Sequence, residues 1–512
     1  MREKLWDCLV QQLLCQSASL SNAKLRQVHA VLLTSSVLAD RFFPNKLLRS
    51  LLPGQPLSVV RCFPRLRRIL PAFRPNKYTF SLLLTASSSS SESESEDDAR
   101  RLVCCIHGLA VVVGCDSSGD SEGYVSNGLI HAYAGRGMLC SARRLFQESI
   151  SRGRTDVCSW TSLVTAYGKA GQLDQARALF DGMPHRRNDV AWSAMLSAYV
   201  AAGGLLRALQ LFQEMQRSGV RPNRAAVVGA LAACGALGAL EQGTWLHAYC
   251  LITARCGRIK DNMVATALVD MYAKCGNLDA ATQVFQAMPA KDVFAYTAMI
   301  SALSDHGRCR DAIRLFQHMK QRPGGGGGAA AAAVRPNAVT FICVLTACAR
   351  AGLVHRARHI FRTILPNPGI EHYGCLVDVL ARAGLLDEAL HVVRRMPMRP
   401  DSYVMGALLN ACTAHGHVHL GRQVMAWMAD LGLDNHSGVH VQLSNMYAGS
   451  SNWEHVLSVR NAMEDKQVLK LPGCSMVEVD GVACEFVAGD RSHPRMRDII
   501  STLTNLHAHR HP

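Results

Sequence analysis

Apolar residues recur along most of the chain at the three- and four-residue spacing of amphipathic helices. One predicted helix has an apolar face formed by Trp160, Leu163, Val164 and Tyr167. The next predicted helix has a face of the same kind, formed by Leu173, Ala176, Leu179 and Phe180. Gly171 separates the two helices, and Pro184 ends the pattern after the second one. The spacing therefore predicts a helical hairpin.

This hairpin repeats along the chain. The phrase that ends at Phe180 returns with ends at Phe285 and Val393, and looser copies end at Phe146, Phe212, Phe316 and Phe361. Most steps between these ends are 31 to 35 residues. The step from Phe212 to Phe285 is 73 residues because it spans two units, and the step from Phe316 to Phe361 is 45 residues because it contains the glycine and alanine tract Gly324–Ala333. Since one hairpin cannot bury both of its apolar faces, we predict an α-solenoid instead of several globular domains.

Composition adds three expectations to this picture. The formal net charge of +16 favours a polyanionic partner. No run of eighteen apolar residues occurs, so no membrane-spanning helix is expected. The 19 cysteines are scattered without a C-x-x-C pair, which predicts reduced, buried thiols in place of a disulfide framework or a zinc ribbon.

Several phrases identify the kind of repeat. The segments Asp156–Gly171, Gly219–Asn223 and Val269–Gly276 resemble pentatricopeptide repeats, whereas the W-x2-L-G-x2-Y pattern of tetratricopeptide repeats is absent. The resemblance implies an all-α fold, a right-handed superhelix that binds single-stranded RNA with one base per repeat. The mixed repeat lengths resemble the plant PLS subclass, which alternates standard, long and short repeats.

The resemblance also divides the chain. Residues 1–76 are expected to form degenerate repeats, of which the last is cut to Phe63–Asn76, and residues 77–401 form the array. Short repeats span 123–156, 157–188, 262–292 and 370–401, standard repeats span 189–223 and 293–337, and long repeats span 77–122, 224–261 and 338–369. The acidic tract Ser87–Asp98 and the tract Gly324–Ala333 are expected to be spacers.

Beyond the array, two further segments resemble family motifs. Residues 402–470 resemble helical E motifs, and residues 471–507 resemble the E-plus extension with the opening of a DYW deaminase domain, before a tail at 508–512. Asp480 and Gly481 lie between alternating apolar residues, a pattern that predicts a small β-hairpin.

In this family the fifth and last residues of each repeat recognise the base. Carried over, the pairs are Asn127 with Asp156, Thr161 with Asn188, Ser193 with Asn223, Thr266 with Asp292, and Thr297 with Asn337. The family's pairing rule implies U, A, A, G and A. Val228 and Ile342 stand at the fifth position of long repeats and cannot form hydrogen bonds, so the expected RNA is U-A-A-n-G-A. If Asp189, and not Asn188, is the last residue paired with Thr161, the second base of the expected RNA becomes G. As an alternative, such residues simply cap helices.

The motifs that follow the array imply a role in organellar C-to-U RNA editing. No histidine is followed two residues later by Glu, so the H-x-E of a zinc deaminase is missing, and the cluster His415, His417 and His419 has no cysteine partners. We therefore expect no enzyme activity, metal or cofactor, and a DYW-type deaminase or other editing factors acting in trans. Factors for splicing, stability or translation, and a tetratricopeptide-like protein-binding scaffold, remain alternatives. The sequence does not choose between mitochondrion and plastid.

Overall fold

The computed structural model describes residues 45, 63, 75–88, 96–114, 123–153, 155–183, 187–253, 261–321, 334–364, 368–433, 437–465, 473–479 and 482–510. These residues form 23 helices and one two-stranded antiparallel sheet. The predicted all-α class with a C-terminal β-hairpin is therefore confirmed. The central residues of both predicted spacers and most of residues 1–76 lie outside the described residues.

The helices alternate between first and second members of hairpins. The first helices are α1 (Lys77–Ser88), α3 (Tyr124–Gly135), α5 (Val157–Lys169), α7 (Asp189–Ala201), α9 (Arg224–Leu237), α11 (Asn262–Lys274), α13 (Val293–Asp305), α15 (Ala338–Arg350), α17 (Ile370–Arg382), α19 (Ser402–Ala414) and α21 (Ser437–Gly449). The second helices are α2 (Glu96–Val113), α4 (Leu139–Ser151), α6 (Leu173–Asp181), α8 (Leu205–Arg217), α10 (Leu240–Thr253), α12 (Leu278–Ala287), α14 (Cys309–Gln321), α16 (Val354–Ile364), α18 (Leu386–Arg395), α20 (Val418–Asp430) and α22 (Trp453–Asp465).

The chain divides into two compact units, Met1–Gly229 and Ala230–Pro512. Within the first unit, each first helix packs against its own second helix and against the next first helix, from α1 to α3, α5 and α7. The second unit has the same arrangement from α11 through α13, α15, α17 and α19 to α21. Each unit is therefore a stack of hairpins, and its core lies between neighbouring helices of the stack.

A glycine with positive φ ends most first helices. Gly171 has φ of 72°, and the bond from Gln172 N to Tyr167 O, 2.9 Å, closes the helix end after α5. This left-handed conformation suits glycine because it has no Cβ, and it turns the chain back into the second helix. A different constraint acts at Gly168, where an added Cβ would lie 2.3 Å from the Cβ of Ala198. Helices α5 and α7 can approach closely because residue 168 has no side chain.

An aromatic pair joins successive repeats. In five second helices a phenylalanine near the end meets, edge to face, an aromatic ring at the fourth position of the next repeat. In the first unit these pairs are Phe146 with Trp160 (ring centroids 4.7 Å apart) and Phe180 with Trp192 (4.9 Å). In the second unit they are Phe285 with Tyr296, Phe316 with Phe341, and Phe361 with Tyr373. The phenylalanines that mark the period in the sequence therefore hold adjacent hairpins together.

The C-terminal hairpin consists of β1 (Cys474–Val479) and β2 (Val482–Val487). They pair antiparallel, with Cys474 opposite Val487 and Val479 opposite Val482. The predicted turn residues, Asp480 and Gly481, lie outside the described residues. A last helix, α23 (Met496–Arg510), follows the hairpin.

The expectation of buried cysteines is wrong for several described residues. Thirteen described cysteines are free, and five of them are exposed: Cys104, Cys105, Cys140, Cys158 and Cys474. The prediction fails because cysteine packs as a small apolar residue on buried and outward helix faces alike, and composition does not distinguish the two. Burial raises the pKa of the thiols of Cys348, Cys375 and Cys412 to about 11, which keeps these three protonated at neutral pH.

The aromatic pair of α6 and α7 gives a direct test of this packing. Phe180 is fully buried against Trp192, and the guanidinium of Arg187 lies 4.7 Å from the Phe180 ring centroid. Replacing Phe180 with Ala removes the ring and leaves a cavity, so we expect a loss of about 3–5 kcal/mol in unfolding free energy. Urea unfolding followed by circular dichroism measures this loss.

The matched control is Leu206→Ala on the exposed side of α8, where Leu206 is 39% exposed. We expect this control to change the unfolding free energy by less than about 1 kcal/mol. Equal losses in the two variants would contradict the role given to the aromatic pair.

Candidate nucleic-acid interface

The last residue of each of the five predicted pairs caps the next first helix. Its Oδ1 accepts a hydrogen bond from the backbone N–H three residues later. The bonds join Asp156 to Ser159 (2.8 Å), Asn188 to Ala191 (2.9 Å), Asn223 to Ala226 (2.9 Å), Asp292 to Ala295 (2.9 Å) and Asn337 to Thr340 (2.9 Å). The capping interpretation is thus correct for Oδ1. The second polar atom, Oδ2 of Asp or Nδ2 of Asn, is not used by the cap.

The fifth residues lie one turn into the first helices. Asn127, Thr161, Thr266 and Thr297 are half-buried. Ser193 is only 7% exposed, and its hydroxyl donates to backbone carbonyls of its own helix, at Asp189 (2.9 Å) and Val190 (3.0 Å). Four of the five predicted fifth residues are therefore partly exposed, although the Thr266 hydroxyl oxygen itself is buried, and Ser193 is almost fully buried.

Two pairs meet through a hydroxyl of the following repeat. Ser159 Oγ lies 2.7 Å from Asn127 Oδ1 and 2.8 Å from Asp156 Oδ1. Thr340 Oγ1 lies 2.7 Å from Thr297 Oγ1 and 2.8 Å from Asn337 Oδ1. In both cases the structure brings the predicted fifth and last residues together at one point between two repeats.

A third pair touches directly. Asn223 Nδ2 lies 3.3 Å from Ser193 Oγ, and it also donates to Asp189 Oδ2 at 3.1 Å. Because the protein already uses this amide, Asn223 has less hydrogen-bonding capacity left for a base than the other last residues. The geometry makes Ser193 and Asn223 the weakest of the five predicted pairs.

The two remaining pairs lack such a link. The residue in the place of Ser159 is Ala191 after the pair Thr161 and Asn188, and Ala295 after the pair Thr266 and Asp292. Thr161 Oγ1 donates to Cys158 O of its own helix at 2.9 Å. Thr266 Oγ1 is buried and has no hydrogen-bond partner in the described part of the chain.

One linked pair was not predicted. Asn45 Nδ2 donates to Asn76 Oδ1 at 3.1 Å, and Thr79 Oγ1 lies 2.7 Å from Asn45 Oδ1. Asn76 also accepts from Thr79 N, so it caps α1 just as Asp156 caps α5. The spacing of 31 residues between two asparagines, followed by Thr79, was the available indication in the sequence.

Sequence reasoning also missed the second residue of the first helices. This side chain is large, apolar and 51–66% exposed in seven of them, at Tyr78, Tyr124, Val190, Met263, Phe294, Val339 and Tyr403. The available indication was an apolar residue standing directly before a residue of the buried face. Exposed flat or branched groups at repeat spacing are suited to contact the faces of unstacked bases.

Basic residues end four of the first helices, namely Lys169, Lys274, Arg350 and Arg382 at the thirteenth position. Eleven residues separate the second and thirteenth positions, which is close to three helical turns, so both lie on one face. Lys274 pairs with Asp270 (2.7 Å) and Arg382 with Asp378 (2.9 Å), but exposed pairs of this kind are weak. Arg350 also pairs with Asp305 (2.6 Å). The thirteenth residue lies about 16 Å along the helix axis from the second one, so a phosphate at this cation would be distant from a base at the second residue.

No metal site or membrane span is found in the described ranges. Their His, Cys, Asp and Glu residues form no group of three placed to bind a metal ion. In the histidine cluster, His415 Nε2 lies 3.1 Å from Ala381 O, a contact that joins two neighbouring first helices. No helix within these ranges has both the length and the apolar character needed to cross a bilayer.

Comparison with known proteins addresses the repeat type. The PPR repeat model matches residues 158–187, 190–220, 264–293, 294–323 and 371–399, and the E motif model matches residues 415–478. A pentatricopeptide repeat protein of maize, PPR10, crystallised with an 18-nucleotide psaJ RNA element, is similar with a TM-score of 0.37 and 14% identity. That similarity covers 84% of this chain and 85% of the maize chain.

Plant relatives match over longer stretches. An Arabidopsis thaliana protein named as chloroplastic/mitochondrial is 40% identical over 84% of this chain and 60% of its own length. The chain likewise spans 65% and 45% of two further Arabidopsis relatives, which is less than two thirds of each. Another Arabidopsis pentatricopeptide repeat-containing protein is 35% identical over 78% of this chain and 73% of its own length. With these matches, its stacked hairpins and its E motif, the chain belongs to the pentatricopeptide repeat family.

Proposed function

We propose that the chain binds single-stranded RNA in a sequence-specific manner and selects sites for C-to-U editing. The observation that supports this most strongly is the geometry of the last residues. Four of them cap a helix through Oδ1 and keep a second polar atom, which is an oxygen in Asp156 and Asp292 and a nitrogen in Asn188 and Asn337. A solenoid of such repeats offers a row of distinct donors and acceptors to a strand of unpaired bases.

The kind of free atom matches the predicted bases. Asp156 and Asp292 offer a carboxylate oxygen, an acceptor, and the bases assigned to them, U and G, each have a ring N–H donor. Asn188 and Asn337 offer an amide NH2, a donor, and their assigned base, A, has a ring nitrogen acceptor. The last residue thus separates U and G from A and C, and the fifth residue is left to choose within each class.

Two further sets of side chains supply affinity. The exposed second residues, such as Tyr124 and Phe294, provide surfaces on which bases stack, and the cations at the thirteenth positions face the sugar–phosphate backbone. These contacts do not depend on base identity. The net charge of +16 adds a long-range attraction for the polyanion.

The E motif supports the editing role. It covers residues 415–478, directly after the array, where the resemblance places motifs of editing factors. This sequence contains no H-x-E motif, and we propose that this chain, as a PLS-class protein, recognises the site while a deaminase acts in trans. The names of the relatives support residence in a mitochondrion or plastid.

A single substitution tests the base assignment. Asp292→Asn keeps an equally good N-cap for α13 but changes the free atom from an acceptor to a donor. We expect the preference at the fifth nucleotide of U-A-A-n-G-A to move from G to A, with a change of about 1–3 kcal/mol in relative binding free energy. Competitive binding with four RNAs that differ only at this nucleotide measures it.

The matched variant is Asn188→Asp, which should move the preference at the second nucleotide from A to G. An equal loss of affinity for all four bases in both variants would contradict the assignment.

Salt dependence distinguishes RNA from a peptide ligand. If about six phosphates are contacted, the logarithm of the association constant should fall with the logarithm of salt concentration with a slope of about −4, since single strands give about −0.7 per phosphate. Fluorescence anisotropy of labelled U-A-A-n-G-A at several salt concentrations gives the slope. A slope near zero would favour the tetratricopeptide-like scaffold.

The editing role is tested in the plant. In a null mutant we expect one or more organellar cytidines, each downstream of a sequence related to U-A-A-n-G-A, to stay unedited. Transcript sequencing in mutant and wild type measures this fraction. Full editing together with retained introns or shortened transcripts would favour the splicing, stability or translation alternative.

A further inference from the structure

The third residue of each repeat of the array is buried in the part of the chain that the structure describes. It is apolar in most of them, for example Val125, Ala191 and Ala295. In three it is a hydroxyl residue: Thr79 and Thr340 are fully buried and Ser159 is 1% exposed. Buried hydroxyls need hydrogen-bond partners. For Ser159 and Thr340 the partners belong to the fifth and last residues of the preceding repeat, and for Thr79 they are Asn45 and Asn76.

We propose that these third-position hydroxyls are specificity-determining positioning residues: each one fixes the side chains of the preceding repeat that read the base. This inference rests on the proposed RNA-binding function. The contact that the hydroxyl of Thr79, Ser159 or Thr340 makes to these side chains is a bridge between two repeats.

The Ser159 bridge defines which atoms remain for the ligand. The single proton of the Ser159 hydroxyl is shared between Asn127 Oδ1 (2.7 Å) and Asp156 Oδ1 (2.8 Å), and Asp156 Oδ1 also accepts from the Ser159 backbone N–H at 2.8 Å. Asn127 Nδ2 and Asp156 Oδ2 are left over, so the pair presents a donor beside an acceptor. Uracil has a carbonyl acceptor next to its ring N–H, which complements this order.

Without the bridge, the fifth side chain is less constrained. An asparagine at the position of Asn127 could turn its amide and present oxygen or nitrogen, which would accept different bases equally well. Thr161 and Thr297 both donate to a carbonyl of their own helix, but only Thr297 also contacts a hydroxyl of the next repeat, at 2.7 Å. Where alanine stands at the third position, Thr161 lacks this second contact and Thr266 Oγ1 finds no partner in the described part of the chain. Fixing a side chain before binding lowers the entropic cost of the correct contact and sharpens selectivity.

The chain itself shows that either residue type fits the site. The backbone N–H groups of Ala191 and Ala295 donate to the capping Oδ1 just as that of Ser159 does, at 2.9 Å in both cases. Ser159→Ala should therefore fold normally, and Ala295→Ser should place a hydroxyl between Thr266 and Asp292. The two variants form a loss and a gain of the same bridge in different repeats.

The experiment measures base selectivity with the full chain. Competitive binding uses RNAs based on U-A-A-n-G-A with all four bases at the first or the fifth nucleotide. We expect Ser159→Ala to lower the preference for U at the first nucleotide about two- to tenfold, the range of one hydrogen bond, and to leave the fifth nucleotide unchanged. Ser159→Thr should keep the wild-type preference, and Ala295→Ser should raise the preference for G at the fifth nucleotide.

Several results would overturn the bridge. Unchanged selectivity in Ser159→Ala would do so, as would a uniform loss for all bases accompanied by a lower unfolding temperature, because a purely structural role predicts that pattern. If the wild-type chain prefers one base and the variants show the same preference, the bridge is wrong but the proposed function stands. A wild-type chain with no base preference overturns the proposed function and the bridge together.

Discussion

The structure depends on one short contact, the hydrogen bond that a free N–H group at the start of a helix donates to a carboxylate or amide oxygen of the residue that precedes the helix. A helix begins with N–H groups that have no partner within it, and a capping side chain supplies one. At Asp156, Asp292 and Asn337 the same side chain also stands at the junction of two repeats. The contact that starts a helix therefore also sets where a base-reading atom can be.

This double role restricts which residues can occupy the junction. Alanine would lose the cap, and a longer side chain such as Glu caps poorly, so Asp and Asn are favoured for folding before any ligand is considered. They are also the pair of residues that differ in one atom between acceptor and donor at nearly constant shape. Repeats can thus exchange Asp for Asn, and with it the class of base, at little cost in stability. Thr and Ser at the fifth position add a second choice without filling the space between the helices.

Much of the architecture was readable in the sequence because it follows from local rules. The helical spacing around Trp160 and Phe180, the glycine turn at Gly171 and the Asp-Gly hairpin each depend on a few neighbouring residues. The last residues were readable too, because a cap is local. The link from Asn127 to Ser159 spans 32 residues and depends on how two hairpins stack, and period alone does not give that distance. The exposure of Tyr124 and Cys158 could not be predicted for the same reason. A helical pattern shows which residues are apolar but not which helix face remains exposed to solvent.

The third position shows how such a junction can vary in strength. Where the preceding pair has polar groups, the third residue is a hydroxyl at Ser159 and Thr340 but alanine at Ala191 and Ala295. Where the preceding fifth and last residues are Ile342 and Gly369, a buried His372 takes the place instead and binds backbone atoms, Gly369 N at 3.0 Å and Ala338 O at 3.1 Å. The buried position is thus satisfied in each case by whatever polar groups the junction offers. Because each hairpin in a solenoid contacts mainly its neighbours, such a change at one junction leaves the others intact, and selectivity can be adjusted one nucleotide at a time.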